Sequence, residues 1–185
     1  MWIVVLLNES GAPCGNRDED LLLTQRERGI ILVMNTELPI IYLARHGETA
    51  RSLTGQHTGL SDLPLARGGE RNARALGVRL HGLNMDRVFT SPLLGARRTC
   101  ELAGFCGIAE ADRDLVEWNY GQYEGLRTSE IHAKRPDWQL FRDGCPGGES
   151  PSQVGTRADR VLSRLRAGQE RIRAPGTRVS RLNGR

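Results

Sequence analysis

The apolar run IIYLA at residues 40–44 stops at the sequence RHGE, residues 45–48, and this junction constrains the fold more than any other part of the chain. An apolar run of this length, bounded by Pro39 and by a glycine, predicts a buried strand. In open α/β sheets, ligands bind beyond the carboxyl ends of the strands. The junction therefore predicts a ligand site in which Arg45 and His46 directly follow a central strand.

Helical and strand patterns alternate after this strand. Residues 68–83 have apolar side chains at roughly helical spacing, and residues 86–90, which include Val88 and Phe89, predict a short strand. Ser91 and Pro92 are suited to be the N-cap and first residue of a helix that we expect to reach Gly104. Further predicted elements are a strand at 108–110, a loop at 117–125, a helix near 129–134 and a last helix from 150 to 172. The alternation predicts an α/β fold with a mostly parallel sheet.

Charge and hydropathy exclude several function classes. The apolar run at residues 2–7 is too short for a membrane span or a signal sequence. The net charge is +4, but residues 157–185 hold nine arginines against two acidic residues, so the rest of the chain is acidic. A nucleic-acid-binding domain instead carries its basic residues as a surface patch or stripe. We therefore predict no membrane and no nucleic-acid partner, with a basic C-terminal arm that binds nucleic acid as the weaker alternative.

The four cysteines are far apart in the sequence and include no C-x-x-C pair. This spacing supports neither a zinc site nor a disulfide framework. We accordingly predict a cytoplasmic protein that has no metal site and needs no other cofactor.

Five sequence blocks resemble, in order and spacing, the histidine phosphatase (phosphoglycerate-mutase-like) superfamily. The blocks are LARHGET (43–49), SLTGQHTGLSDLPL (52–65), VFTSPLLGARRTCELAG (88–104), LVEWNYGQYEG (115–125) and LFRDGCPGGES (140–150). They are most similar to the sugar-phosphate phosphatases of the sedoheptulose-bisphosphatase type. The resemblance implies a three-layer α/β sandwich and a phosphomonoesterase whose partner is a small-molecule phosphate ester. It places the domain at 38–172, between an N-terminal extension (1–37) and a basic irregular tail (173–185).

The resemblance also implies roles for three catalytic residues. His46 corresponds to the nucleophile that carries the phosphoryl group as phosphohistidine, and Arg45 to a clamp whose planar fork binds two phosphate oxygens. Glu117 corresponds to the acid that protonates the leaving oxygen, a task that needs a carboxyl group with a raised pKa. The alternatives are a structural histidine in the core and a solvated glutamate in a loop.

Substrate-binding residues follow from the same comparison. The residues implied are Gly47, Ser52, Gln56, Thr58, Gly59 and Tyr120. Several of them could equally serve the turns of their loop, because glycine, serine and threonine are common in turns. His57 is interpreted either as a residue at the entrance of the site or as a solvated loop residue.

Two departures from the family pattern indicate impaired activity. Gly95 stands where the family has a second phosphate-binding arginine, and Arg98, one helical turn later, is the candidate replacement. The family's later strand, which ends in a second catalytic histidine, has no counterpart after residue 172. We therefore expect a sheet that lacks C-terminal strands and leaves one strand edge unpaired. A non-catalytic phosphate-binding protein, or truncated pseudoenzyme, is the alternative function.

Overall fold

A computed structural model describes the backbone at residues 2–8, 30–33, 40–83, 85 and 87–173, and the side chains at 41–83, 85 and 87–167. Its strands form one sheet in the order β2-β3-β1-β4-β5. They are β1 (Trp2–Asn8), β2 (Ile30–Val33), β3 (Ile40–Arg45), β4 (Arg87–Thr90) and β5 (Ala109–Ala111). The α-helices in the described residues are α1 (Ala50–Leu53), α2 (Arg67–Leu80), α3 (Leu94–Leu102), α4 (Thr128–His132), α5 (Leu140–Asp143) and α6 (Pro151–Arg173). Apart from Arg173, the predicted basic tail lies outside the described residues.

The strands β3, β4 and β5 run in the same direction. β4 and β5 pair directly, whereas β3 and β4 are separated by one antiparallel strand. α2 lies between β3 and β4 in the chain and α3 between β4 and β5. Parallel strands need such crossovers, which are helical in most α/β proteins. The α/β fold predicted from the sequence is thus confirmed.

The strand between β3 and β4 is β1, which comes from the N-terminal segment. It is antiparallel to both, and its register places Trp2 opposite Arg45 and Val4 opposite Thr90. β2 pairs with the other side of β3, so both N-terminal strands belong to the sheet. β1 thus supplies backbone partners to β3 and to β4, and the edge strands of the described sheet are β2 and β5. In the described residues no strand follows β5.

Helices cover both faces of the sheet. Successive strand residues point to opposite faces, so Val88 of β4 packs in a cluster with Leu80 of α2 and Cys100 of α3. Its neighbour Phe89 packs on the other face with Leu115, and with Val161 and Leu165 of α6. Full burial of one such side chain contributes about 1.5–3 kcal/mol. These two clusters hold the three layers together, as the resemblance implied.

α3 begins later than predicted. Ser91 is completely buried, and its Oγ accepts a 3.3 Å hydrogen bond from the backbone N–H of Leu93 within the turn that follows β4. Leu93 is the N-cap, and its own side chain makes no capping hydrogen bond. Oδ1 of Asp62 instead accepts a hydrogen bond from the N–H of Leu94. The delay has a consequence for the site, because it puts Gly95 in the first turn of α3.

A third cluster supports the loop at 117–125. Its buried members are Trp118, Tyr120, Ile131, Trp138 and Cys145. The indole Nε1–H of Trp138 donates a 2.8 Å hydrogen bond to the carbonyl of Gly144, so the polar edge of this buried ring is satisfied. None of the described helices combines the length and the apolar character needed to span a membrane.

Candidate active site

A cavity of about 210 Å³ lies at the carboxyl end of β3. We call it the His46 cavity. It is lined by Arg45, His46, Thr49, Ser52, Gly55, Gln56, His57, Thr58, Ser61, Leu63, Leu93, Gly95, Glu117 and Tyr120. All three predicted catalytic residues therefore line one cavity, together with four of the six substrate-binding residues first proposed: Ser52, Gln56, Thr58 and Tyr120. The described residues contain no cluster of side chains that could hold a metal ion.

His46 is fixed by the tight turn that follows β3. A Cβ atom at Gly47 would lie 2.3 Å from the carbonyl oxygen of Gly69 in α2, so only glycine permits this approach. The N–H of Gly47 donates a 3.1 Å hydrogen bond to Oγ1 of Thr99, which itself donates to the carbonyl of Gly95 at 2.7 Å. The start of α3 is thus tied to the turn that carries His46.

The imidazole of His46 is held in its neutral form. Burial is the largest cause that lowers its pKa, from 6.5 to about 4, and the positive charge of Arg45 lowers it further. The backbone of Gly47 acts in the opposite direction. Nδ1 is buried, and none of the described residues makes a hydrogen bond with it. Nε2 is consequently the nitrogen available for chemistry, since Nδ1 is closed off.

Arg45 provides the positive charge of the His46 cavity. Its side chain is exposed, and it is the only arginine or lysine among the described residues that line the cavity. A guanidinium group binds phosphate oxygens in pairs through its planar fork. The arrangement therefore has one anion-binding side chain beside the imidazole.

Glu124 holds the loop that carries the predicted substrate-binding residues. Its carboxylate accepts hydrogen bonds from the N–H of Gly59 at 3.0 and 3.1 Å and from the hydroxyl of Ser61 at 2.7 Å. A Cβ atom at Gly59 would lie 2.1 Å from the carbonyl oxygen of Trp118. Gly59 does not line the cavity, so its predicted role in substrate binding is replaced by one in packing.

The side chains of this loop are partly committed to local hydrogen bonds. Nε2 of Gln56 donates to the carbonyl of Gly125 at 2.7 Å, and the hydroxyl of Thr58 donates to the carbonyl of Gln56 at 3.3 Å. Ser52 forms a reciprocal cap with Thr49 at the start of α1. Such bonds fix side chains that face the cavity and define its polar wall.

His57 lines the cavity and is half-buried, which excludes the interpretation as a merely solvated residue. Its ring centroid lies 4.7 Å from that of Tyr120, and Nε2 is 3.1 Å from the hydroxyl of Thr128. Burial lowers its pKa, an effect that Glu124 partly offsets. The GQHTG block already placed His57 next to predicted substrate-binding residues, but the sequence of a loop does not show whether a histidine in it is buried.

Glu117 and Tyr120 come from the loop above the third cluster. Oε1 of Glu117 accepts a 2.9 Å hydrogen bond from the N–H of Trp118, which sets the direction of the carboxyl group. Tyr120 is 8 % exposed, and burial raises the pKa of its phenol to about 12. Its hydroxyl therefore stays protonated and can donate a hydrogen bond at any physiological pH.

Arg98 does not take the place of the missing arginine. It lies outside the cavity and forms ion pairs with Glu70 at 3.2 Å and Glu101 at 2.8 Å. Position 95 is the one that faces the site, because a Cβ atom there would lie 3.6 Å from Nδ1 of His46. The predicted replacement by Arg98 is therefore wrong. Gly47 also lies outside the His46 cavity and borders a neighbouring cavity of about 450 Å³ that shares Arg45 and His46.

Comparisons with known proteins identify the family of this chain. The family model for the histidine phosphatase superfamily (branch 1) matches residues 41–173. The chain is 42 % identical over 125 residues to an acid phosphatase of Mycobacterium tuberculosis, covering 66 % of this chain and 61 % of that protein. It is 37 % identical over 152 residues to the sedoheptulose 1,7-bisphosphatase of Saccharomyces cerevisiae, covering 69 % of this chain and 55 % of that protein.

A solved structure of a Mycobacterium tuberculosis open reading frame product is similar with a TM-score of 0.61 at 42 % identity. The match covers 64 % of this chain and 62 % of that one. The chain thus spans between 55 % and 61 % of the length of the two curated relatives. From the family model, these relatives and the fold, the chain belongs to the histidine phosphatase superfamily, branch 1.

Proposed function

We propose that this chain is a phosphomonoesterase that works through a phosphohistidine on His46. The observation that carries the proposal is a neutral, partly buried imidazole that shares one cavity with Arg45 and Glu117. A neutral ring nitrogen can attack phosphorus and divide one difficult displacement into two easier ones. Because the pKa of His46 is about 4, no base is needed to activate it at neutral pH.

The proposed reaction has two steps. Nε2 of His46 attacks phosphorus while Arg45 binds the phosphoryl oxygens, and the bond from phosphorus to the leaving oxygen breaks as the carboxylic acid of Glu117 protonates that oxygen. Water then attacks the phosphohistidine, the carboxylate of Glu117 accepts a proton from that water, and inorganic phosphate leaves. His46 and Glu117 return to their first protonation states, so the cycle closes.

The substrate class that we propose is a small phosphate ester, with sugar phosphates favoured. The cavity of about 210 Å³ accommodates a small molecule, and the side chains of Gln56, Thr58 and Tyr120 offer hydrogen-bonding groups to hydroxyls. The names of the two similar proteins, an acid phosphatase and a sedoheptulose bisphosphatase, point the same way.

We further propose that turnover is slow. Phosphoryl transfer depends on positive charge around the phosphoryl oxygens, and among the described residues lining the cavity only Arg45 carries a permanent one. One preorganised donor is typically worth about 10²–10³ in rate. The glycine at position 95 therefore removes a contribution that Arg98, paired with two glutamates, does not restore.

The decisive experiment incubates the chain with p-nitrophenyl phosphate and with an alkyl phosphate such as glycerol phosphate. Released phosphate is measured, and the peptide that contains His46 is searched for phosphohistidine by mass spectrometry at neutral pH. We expect slow turnover and a phosphorylated His46, both abolished in His46→Ala. His81→Ala, which changes an exposed histidine at the end of α2, is the matched control. Turnover that survives in His46→Ala would refute the proposal.

A non-catalytic phosphate-binding protein is the second candidate, and the single arginine in the cavity favours it. This candidate predicts that inorganic phosphate binds in an Arg45-dependent way while no phosphohistidine forms.

A further inference from the structure

Arg157 of α6 uses its whole guanidinium group inside the protein. Nε donates to Oε1 of Glu149 at 2.6 Å, and Nη1 donates to the carbonyls of Asp114 and Val116 at 2.8 and 2.9 Å. Nη2 donates to the carbonyl of Glu117 at 3.2 Å and to Oε2 of Glu149 at 2.9 Å. An arginine has five N–H donors, and each of them has a partner here.

Glu149 continues this network on the other side of Glu117. Its Oε2 accepts a 2.8 Å hydrogen bond from the N–H of Asn119, and its carbonyl accepts a 2.9 Å hydrogen bond from the indole of Trp118. Its own N–H donates to the carbonyl of Asn119 at 2.9 Å. The hydrogen bonds from Arg157 lower the pKa of the Glu149 carboxyl, so the pair stays ionised.

The two side chains therefore bind the backbone on both sides of Glu117. Arg157 binds the carbonyls of Asp114 and Val116, which precede Glu117, and the carbonyl of Glu117 itself. Glu149 binds Trp118 and Asn119, the two residues that follow Glu117. Both are largely buried, with side chains 12 % and 19 % exposed, so water competes little for these hydrogen bonds. Glu117 in turn lines the His46 cavity.

We propose that Arg157 and Glu149 are positioning residues that hold the carboxyl group of Glu117 where it protonates the leaving oxygen. The inference rests on the proposed function and adds to it a link between α6 and the acid. A general acid contributes about 10²–10⁴ in rate, and a displacement of about 1 Å can cost about 10². Loss of the pair therefore reduces catalysis by Glu117 without touching His46 or Arg45.

The test uses the leaving group, because only a poor leaving group needs a proton. p-Nitrophenolate leaves unaided, whereas the alkoxide of glycerol phosphate does not. We expect Arg157→Lys to lower kcat for glycerol phosphate about 10- to 100-fold with little change in KM, and to lower kcat for p-nitrophenyl phosphate less than about threefold. Lysine keeps the charge but lacks the planar fork. Glu117→Gln should show the same selectivity, and the double variant should be no slower than Glu117→Gln alone.

Arg160→Lys is the matched control. Arg160 lies one turn further along α6 and pairs with Asp114 at 2.5 Å. It is half exposed, and its hydrogen bonds within the described residues go to Asp114 and not to residues 116–119. This variant should hydrolyse both esters at the original rate. Equal losses for the two esters in Arg157→Lys, or no loss for either, would overturn the positioning role.

Hydrogen exchange of the backbone amides of residues 117–119 gives a readout that needs no turnover. We expect faster exchange in Arg157→Lys than in Arg160→Lys at equal thermal stability; unchanged exchange overturns the proposal. If Arg157→Lys does not fold, Glu149→Gln provides the same two measurements, because it keeps the shape of the side chain and removes its charge. Absence of phosphohistidine in the unaltered chain refutes the proposed function. The exchange data then still show whether Arg157 and Glu149 hold residues 117–119 in place.

Discussion

At the scale of single residues, the chemistry depends on where His46 and Gly95 lie. The imidazole of His46 is neutral because burial and nearby positive charge lower its pKa. A nucleophile needs this neutral form, but the low pKa also reduces the stability of the fold at acid pH. Gly95, in contrast to His46, matters through its position and not through a side chain. It brings no functional group, but it stands where a longer side chain would enter the cavity.

Protonation of His46 should destabilise the fold. Its pKa is about 4 in the folded chain against an ordinary 6.5, so between these values the unfolded chain binds more protons. Stability is therefore complete above about pH 6.5 and is lost as the pH falls toward 4, by on the order of 3 kcal/mol. Urea unfolding at pH 7, 5.5 and 4.5 measures the loss. In His46→Ala this component should vanish, and an identical pH dependence in both proteins would contradict the assignment.

Gly95→Arg should increase turnover by less than the about 10²–10³ expected of a preorganised donor. The new Cβ atom meets the carbonyl oxygen of Leu63 at 3.2 Å, a tight contact that shifts the side chain from its best position. Phosphate release from both esters measures the gain, with Arg97→Lys on the exposed side of α3 as the control. A gain above about 10³ would show that position 95 alone limits the rate.

At the scale of elements, the site depends on two backbone segments in direct contact. The backbone of the turn at residues 46–48 packs directly against the backbone of the first turn of α2, with no side chain between them. A Cβ atom added at Gly47 would clash with Gly69, and one added at Gly69 would lie 2.2 Å from the carbonyl oxygen of Glu48. Close packing of this kind fixes the end of β3 against a helix, so the direction of the His46 side chain is set by backbone atoms.

Gly47→Ala should therefore destabilise the protein by about 1–3 kcal/mol, the usual cost of overpacking. Thermal and urea unfolding measure the effect. Gly107→Ala is the matched control, because a Cβ atom there meets nothing within 4 Å, and surface substitutions usually change stability by less than about 0.5 kcal/mol. Equal stability of the two variants would mean that the turn and α2 can separate at little cost.

At the scale of the whole molecule, β1 completes the sheet. It lies between two parallel strands and pairs with each of them in the antiparallel sense. A central strand uses its backbone groups on both sides, so its contribution differs from that of the edge strands β2 and β5. The amino-terminal end of β1 also lies opposite Arg45, which places it beside the site.

A proline in β1 tests this topology. Val5 is opposite Leu43 on one side and Phe89 on the other. Proline in a central strand removes a ladder hydrogen bond, and a buried backbone partner left unpaired costs about 1–3 kcal/mol. We expect Val5→Pro to lower the melting temperature strongly, whereas Val5→Ile, which keeps a β-branched side chain and the N–H, should not. A melting curve unaffected by Val5→Pro would show that β1 does not hold the sheet together.

Sequence alone determined the parts of this protein that depend on local patterns. The apolar run before Arg45 and the alternation of strands and helices predicted the α/β fold. The resemblance of five sequence blocks to a known family predicted seven of the fourteen residues that line the His46 cavity. Each of these signals lies within a few neighbouring residues, where periodicity and turn chemistry act directly.

Only the tertiary structure decided the features that join distant segments. Strand pairing is not encoded by a strand's own pattern, so the place of β1 between β3 and β4 could not be predicted. Arg98 was a candidate clamp on helical spacing alone, until Glu70, distant in sequence, was found beside it. The low pKa of His46 comes from burial by surrounding segments, and three hydrogen bonds of Arg157 connect α6 with a segment some 40 residues earlier. Burial, charge pairing and shared hydrogen bonds are properties of assembled segments, and they exist only once the chain has folded.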